Sequence, residues 1–413
     1  MRDIIIKNSD RFKSVFVTVN MLLPLKATMT GKNALLAMVL KKSNELYKTE
    51  KELERALAGL YDMTIDVNVE KLDNIYNIQI CMELLNGKYM SNEDIEQAKQ
   101  ILCAIICRPN IVNGKFEQDI FEREKITLLE RIAEERDDKK KYALECLRQD
   151  MFKGTEYETS SLGTMEMVDK ITNEELVKHY EYVISTAQVL VSAVGNLEGM
   201  EELPQEIHKE LCGKCGKHAV QNAHDVDTDC EEIKERVENQ DINQSVLCIG
   251  LKVENVDAED SYALTLYNAI LGGTPASKLF QNVREKESLA YFAKSQYSKL
   301  KQVIYMFSGV DPINNEKAKK VMLEQLELIK KGEVTEEEFY AAKQSLISAY
   351  TELKDSKIAI TRNMLNNEML FGREVDIQEM IEKLDKLTLQ DIIAVAKKVK
   401  ATNVFLLGGV ARV

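Results

Sequence analysis

The sequence predicts an α+β fold built as two similar domains, each an antiparallel sheet with helices packed on one face. The order of elements and a set of matched segments carry this prediction. The order strand pair, helix, long helix, short helix, strand occurs once in each half of the chain. VDKITNEEL at 168–176 is matched by LDKLTLQDI at 384–392, an offset of 216 residues (384 − 168). FEREKITLL at 121–129 is matched by FYAAKQSLI at 339–347, an offset of 218 (339 − 121). Phe152 and Phe371 each lie near a glycine, Gly154 and Gly372, and the terminal strands VLVSAVG and VFLLGG correspond. Duplication of one α+β unit explains these matches together.

Taken in order, Ser14–Leu25 alternates as a strand, VFVTVNMLL. Asn33 to about Leu60 has helical apolar spacing at Leu35, Met38, Val39, Leu53, Leu57 and Leu60. Thr64–Val69 and Ile75–Met82 alternate as two strands. Ser91 with Asp94 opens a helix to about Cys107, residues 121–149 read as one long charged helix, and 172–182 as another. Residues 187–194 form a buried strand stopped by Gly195-Asn196. The first domain is therefore expected at 1–200 and the second at 236–413, with 201–235, rich in charge and poor in pattern, as a linker.

Composition narrows the function classes. The chain has 413 residues, 45% hydrophobic and 30% charged, ordinary for a water-exposed globular protein. A net charge of −13 argues against nucleic acid as a partner and suits a basic substrate. No basic-apolar leader follows Met1 and no apolar run is long enough to span a bilayer, so a cytoplasmic protein with no membrane partner is expected. The eight cysteines fall mostly within apolar patterns and are expected to be reduced core residues. The linker holds His208, Cys212, Cys215, His218, His224 and Cys230. Cys212-x-x-Cys215 with His218 has a zinc-like spacing, but no second Cys pair accompanies it, so a polar connector that contains thiols is the preferred reading.

The most informative stretch is 271–291, LGGTPASKLFQNVREKESLAY. Gly272-Gly273 with Pro275 breaks the backbone, Ser277 is the candidate N-cap, and Leu279, Phe280, Val283 and Leu289 recur at helical spacing. Seven steps (291 − 284) return almost to the starting azimuth, so Arg284 and Tyr291 share a face if the helix runs that far. Together, guanidinium and phenol can hold a carbonyl or an oxyanion; separately, they are a surface Arg and a half-buried Tyr.

The wording of this stretch resembles the C-terminal half of the pitrilysin/insulinase metallopeptidases, the inverzincins, in their mitochondrial-processing-peptidase-like bacterial branch. The pattern LGG, Ser, LF, VRExxxLAY is met by Leu271, Gly272, Gly273, Ser277, Leu279, Phe280, Val283, Arg284, Glu285, Leu289, Ala290 and Tyr291. The resemblance covers nearly the whole chain, includes the duplication, and implies half of a clamshell. In that family a His-x-x-Glu-His helix in the first domain binds zinc through two histidines and activates water through the glutamate. Here the corresponding helix reads TGKNALLAMVLKKS, with Asn33 and Ala37 at the histidine positions and Leu36 at the glutamate position. The third ligand position, on the following long helix, falls at Arg131, with Glu130 beside it. Ala and Leu carry no donor atoms and a single Asn amide is a poor zinc ligand, so this chain is expected to hold no metal.

The resemblance therefore implies the non-catalytic subunit of a two-chain zinc endopeptidase. On this reading a His-x-x-Glu-His partner supplies the zinc, this chain supplies Arg284 and Tyr291 in trans, and peptide or unfolded polypeptide is the substrate. The alternative is an inactive peptidase homologue that serves as a peptide-binding or structural scaffold, as a homodimer or with another partner. Nothing in the sequence supports a peptidase that works alone.

Overall fold

A computed structural model of the chain describes residues 1–215 and 232–410. Ten strands form two sheets: β1 (Ile4–Asn8), β2 (Ser14–Pro24), β3 (Thr64–Leu72), β4 (Ile75–Leu85), β5 (Gln188–Gly195), β6 (Lys234–Asn239), β7 (Ser245–Val253), β8 (Ala290–Ser298), β9 (Val303–Val310) and β10 (Val399–Gly408). The main helices are α1 (Thr30–Leu40), α2 (Glu50–Gly59), α3 (Asn92–Cys107), α4 (Gln118–Asp137), α5 (Lys139–Met151), α6 (Asn173–Thr186), α7 (Leu203–Cys212), α8 (Asp260–Asn268), α9 (Asn315–Lys330), α10 (Glu336–Glu352), α11 (Lys357–Phe371), α12 (Ile377–Lys386) and α13 (Leu389–Ala396).

The first sheet runs β1-β5-β2-β4-β3 and the second β6-β10-β7-β9-β8. These are the same order with every strand advanced by one repeat, and the pairing senses agree. β1 lies parallel to β5 and β6 parallel to β10, while all other neighbours are antiparallel. The expected α+β duplication is thus present, and each sheet adds to the expected antiparallel strands a parallel edge strand, β1 or β6, that the sequence pattern did not show. The central strand β2 is buried on both faces from Val15 to Leu23, which is why its sequence is almost continuously apolar rather than strictly alternating.

Helix starts follow local capping chemistry. Thr49 with Glu52, Ser91 with Asp94, Thr172 with Glu175, Thr335 with Glu338 and Thr388 with Asp391 each form a reciprocal capping box. The box at Thr49 divides the segment expected as one helix from Asn33 to Leu60. Before it, Asn44 Oδ1 accepts from the Leu46 and Tyr47 amides at 2.9 and 3.0 Å, so the chain turns between α1 and α2. The expected helix over 121–149 is likewise broken, because Asp138 accepts from the Lys140 and Lys141 amides and starts α5 afresh.

The chain forms two compact units that are not continuous in sequence. One holds Met1–Glu134, Thr155–His224 and Asp355–Arg373; the other holds Glu135–Gly154, Asp225–Lys354 and Glu374–Val413. In the first unit α11 covers the second face of its sheet, where Lys357 hydrogen-bonds Ser14 and Glu83. In the second, α5 covers the corresponding face, with the Met151 side chain against Gly250. Each unit therefore takes one covering helix from the other repeat. Linear pattern gives no sign of this, because helix α5 or α11 reads the same whichever sheet it packs on.

Composition also hides α7 inside the expected linker. Leu203, Ile207 and Leu211 fall four apart and are fully buried, so the segment after Asn196 packs into the first unit as an amphipathic helix.

Candidate functional site

Helix α1 is where the metal motif of the resembling family would lie, and it is buried on almost every side. Thr30, Gly31, Asn33, Ala34, Leu35, Leu36, Ala37, Val39 and Leu40 are all buried, and Leu36 has no exposed surface. Gly163, at φ 80°, permits the close approach of another loop: a Cβ there would come within 2.7 Å of the Gly31 backbone.

Asn33 does not face an open site. Its Oδ1 lies 2.7 Å from Nε2 of His179, a residue of α6 with 6% of its surface exposed. An amide oxygen only accepts, so the imidazole donates through Nε2. Burial, with Lys32 adding to it, pulls the His179 pKa down to about 4. The ring also stacks on Tyr182 at 5.8 Å. A histidine is thus present beside the motif position, held as a core hydrogen bond.

Arg131 and Glu130 are both exposed on α4. The buried acid on that helix is Glu124, which accepts from Arg123 Nε at 3.2 Å and faces Lys42 Nζ at 3.5 Å. Sequence reasoning missed Glu124, although the signal was present: Glu124, Leu128 and Ile132 repeat every four residues, which puts a carboxylate on the apolar stripe. With two cations beside it, Glu124 is a paired core charge. Asn33, Leu36 and Ala37 do not fit zinc. Among the described residues no three His, Cys, Asp or Glu side chains are arranged to hold a metal ion. Of the linker set, His208, Cys212 and Cys215 are described, whereas His218, His224 and Cys230 lie outside the described residues.

Arg284 and Tyr291 lie in different elements, which corrects the expectation of one shared helix. Residues Leu279–Lys286 form a π-helical segment, and the Glu287 amide closes on Asn282 O at 3.3 Å. Ser288, at φ 51°, then turns the chain into β8. Ser277 is buried and does not cap the segment, whose N-cap position is Lys278. The Arg284 guanidinium lies 4.6 Å from the centre of the Phe280 ring and 3.6 Å from Glu285 Oε1, with 43% of the side chain exposed. Tyr291 is 69% exposed and stands at a bulge in edge strand β8, where the register with β9 slips between Ala290 and Phe292. A bulge of this kind turns one side chain out of the alternating pattern. The two side chains are thus presented from a π-helical segment and an edge strand of the second unit.

A groove of about 490 Å³ opens between α11 and the second face of the first sheet, lined by Asp66, Asn68, Glu70, Gln79, Cys81 and Arg362 among others. Its acids are partly balanced: Lys41 lies 2.6 Å from Asp66, and Arg362 lies 3.9 Å from Glu70. No helix among the described residues is long and apolar enough to cross a membrane.

Residues 170–346 match the family model described as the peptidase M16 inactive domain. The chain is 28% identical over 410 residues to the probable inactive metalloprotease YmfF of Bacillus subtilis, covering 98% of this chain and 95% of that protein. A conserved protein from Enterococcus faecalis has the same fold with a TM-score of 0.90 at 27% identity, covering 99% of this chain and 97% of the other. A peptidase M16 inactive domain from Pseudomonas fluorescens superposes with a TM-score of 0.79 over 98% of this chain and 95% of its own length; at 16% identity this likeness speaks for the fold.

Proposed function

From the premise that this chain is an inactive homologue in the peptidase M16 family, we propose that it is the non-catalytic subunit of a two-chain zinc endopeptidase. One observation carries the reading. The helix that would hold zinc is closed by the Asn33–His179 hydrogen bond, while Arg284 and Tyr291 stand exposed and aimed outward.

The proposed division of labour follows from those environments. A His-x-x-Glu-His partner binds the zinc and supplies the base; when bound, the metal polarises the scissile carbonyl and activates water. Arg284 then donates fixed guanidinium hydrogens to the substrate carbonyl and to the charge that develops on it, and the Tyr291 hydroxyl adds one donor. Among the described residues β3 and β8 stand at the edges of their sheets, where an extended peptide can add as a strand. The acid-bearing groove of the first unit and the net charge of −13 favour basic peptides. A cytoplasmic location completes the proposal.

The test is reconstitution with a His-x-x-Glu-His subunit and measurement of zinc-dependent peptide hydrolysis. Activity is expected only in the pair, and Arg284→Ala is expected to remove most of it without dissolving the complex. Unchanged turnover in an assembled Arg284→Ala complex overturns the shared-site role. The second reading, a peptide-holding scaffold, is favoured by the same loss of ligands. It predicts peptide binding that ignores zinc and a stable homodimer or a non-peptidase partner.

A further inference from the structure

We propose that the second unit binds an amphipathic helix of another protein, aliphatic along one face and acidic beside it, in a groove between α9 and the β6–β10 edge of its sheet. The groove holds about 950 Å³, and Ile233, Leu323, Leu326 and Ala401 form its apolar lining. Strand register shows what it corresponds to in the first unit. β1 ends with Asn8 opposite Gly195 of β5, and β6 ends with Asn239 opposite Gly408 of β10. Two residues back from each asparagine, Ile6 and Val237 hold the same place. The helices after β4 and β9 also carry the same ion pair, Glu96–Lys99 at 2.6 Å on α3 and Glu316–Lys319 at 2.9 Å on α9.

In the first unit α7 fills the angle between helix and edge strand. It packs on α3, β1 and β5, and Lys99 Nζ lies 2.8 Å from its Glu206. Ile6 packs against the apolar cluster that contains Leu203, Ile207 and Leu211 of α7. In the second unit the same angle is the groove. Lys319 turns to Glu235 of β6 at 3.0 Å, Val237 is 59% exposed, and Ile233, just before β6, is 39% exposed. The place thus suits a helix with aliphatic side chains four apart, as in α7. Charge selects the flanks of that helix. Lys317, Lys319, Lys320, Lys330 and Lys400 line the groove against Glu316, Glu324 and Glu327, an excess of two positive charges (5 − 3) in a chain of net charge −13. Lys320 is loosely held, with 78% of its side chain exposed and Glu324 4.0 Å away, so it can exchange that pair for a carboxylate on the arriving helix. The acids of α7, Glu206 and Glu210, sit beside its apolar stripe in this way.

The probe is a fluorescent synthetic peptide with the sequence of residues 200–214 and Cys212→Ser, titrated with the full chain and followed by anisotropy. Saturable binding is expected. Leu323→Lys in the protein should weaken it by about tenfold or more, because it sets a charge in the apolar lining. A peptide carrying Ile207→Ser and Leu211→Ser should not bind, and one with Glu206→Lys and Glu210→Lys should bind more weakly, by a margin that shrinks with added salt. In the unsubstituted chain the peptide should protect Lys320 and Lys400 from acetylation, a readout that stands even if Leu323→Lys fails to fold. No saturable binding, equal binding by the Lys-bearing peptide, unchanged binding to a folded Leu323→Lys chain, or acetylation indifferent to the peptide would each overturn the proposal. Self-association of the chain that Leu323→Lys abolishes would overturn it too, by giving the groove to a second copy.

Discussion

Helix α1 of the first repeat and the segment before β8 of the second lie at different places in the repeat, and their side chains meet opposite environments. Around α1, polar chemistry has been replaced by packing: Leu36 and Ala37 fill the core, and the one polar side chain facing inward, Asn33, is satisfied by His179. Around Arg284 and Tyr291, packing has been given up. The helix loosens into a π-helical segment, the chain turns at Ser288, and a bulge turns the tyrosine out. A buried polar group without partners is costly, so Asn33 is paired in the core, whereas an exposed Arg and Tyr contribute little to stability.

This contrast can be broken at its closed end first. Leu36→Glu places a carboxylate where no surface is exposed, and is expected to cost about 3–5 kcal/mol or prevent folding. Denaturant unfolding measures it, and a near-neutral result would mean that α1 still borders open space.

At the open end, Arg284→Ala in the assembled pair is expected to lower kcat/KM by about 10²–10³-fold, the range for a donor to a developing oxyanion. Steady-state kinetics of the complex check this.

Acid comes next. A His179 pKa lowered from 6.5 to about 4 means that the unfolded chain takes up a proton before the folded chain does. Stability from this group is therefore complete above 6.5 and is lost as pH falls towards 4, by at most about 3 kcal/mol. Unfolding free energies measured across that window should fall in the parent, and should fall less in a folded His179→Gln variant.

The smallest effect sharpens the comparison most. Tyr291→Phe should leave the stability of the isolated chain within about 0.5 kcal/mol, because an exposed edge-strand hydroxyl has no buried partner to lose. A large loss of stability would mean that the residue is structural.

Much of this was legible in residue order. The repeated strings at 168–176 and 384–392 mark α6 and α13, and each opens on the same capping box. The blank metal motif could be read directly, since Leu and Ala have no donor atoms in any fold. Arg284 and Tyr291 could be found by their wording, but not by helical arithmetic: the seven-residue spacing assumed one continuous helix, and a positive-φ serine ends it. Asn44, Thr49 and Asp138 show a related failure. Their side chains bond their own backbone and cut long apolar periodicities that looked continuous.

By itself, then, the sequence determined the duplication, four of the five strands of the first repeat, and which residue types stand on α1 and in the 271–291 stretch, because these depend on local pattern and on what each side chain can chemically do. Only the tertiary structure decided that α5 and α11 cover sheets made largely by the other repeat, that His179 closes on Asn33, and that Glu124 rather than Arg131 turns inward. Those outcomes join residues far apart in the chain, and contacts of that kind are selected by packing and desolvation of the whole core, which leave no periodic trace in either partner's own segment.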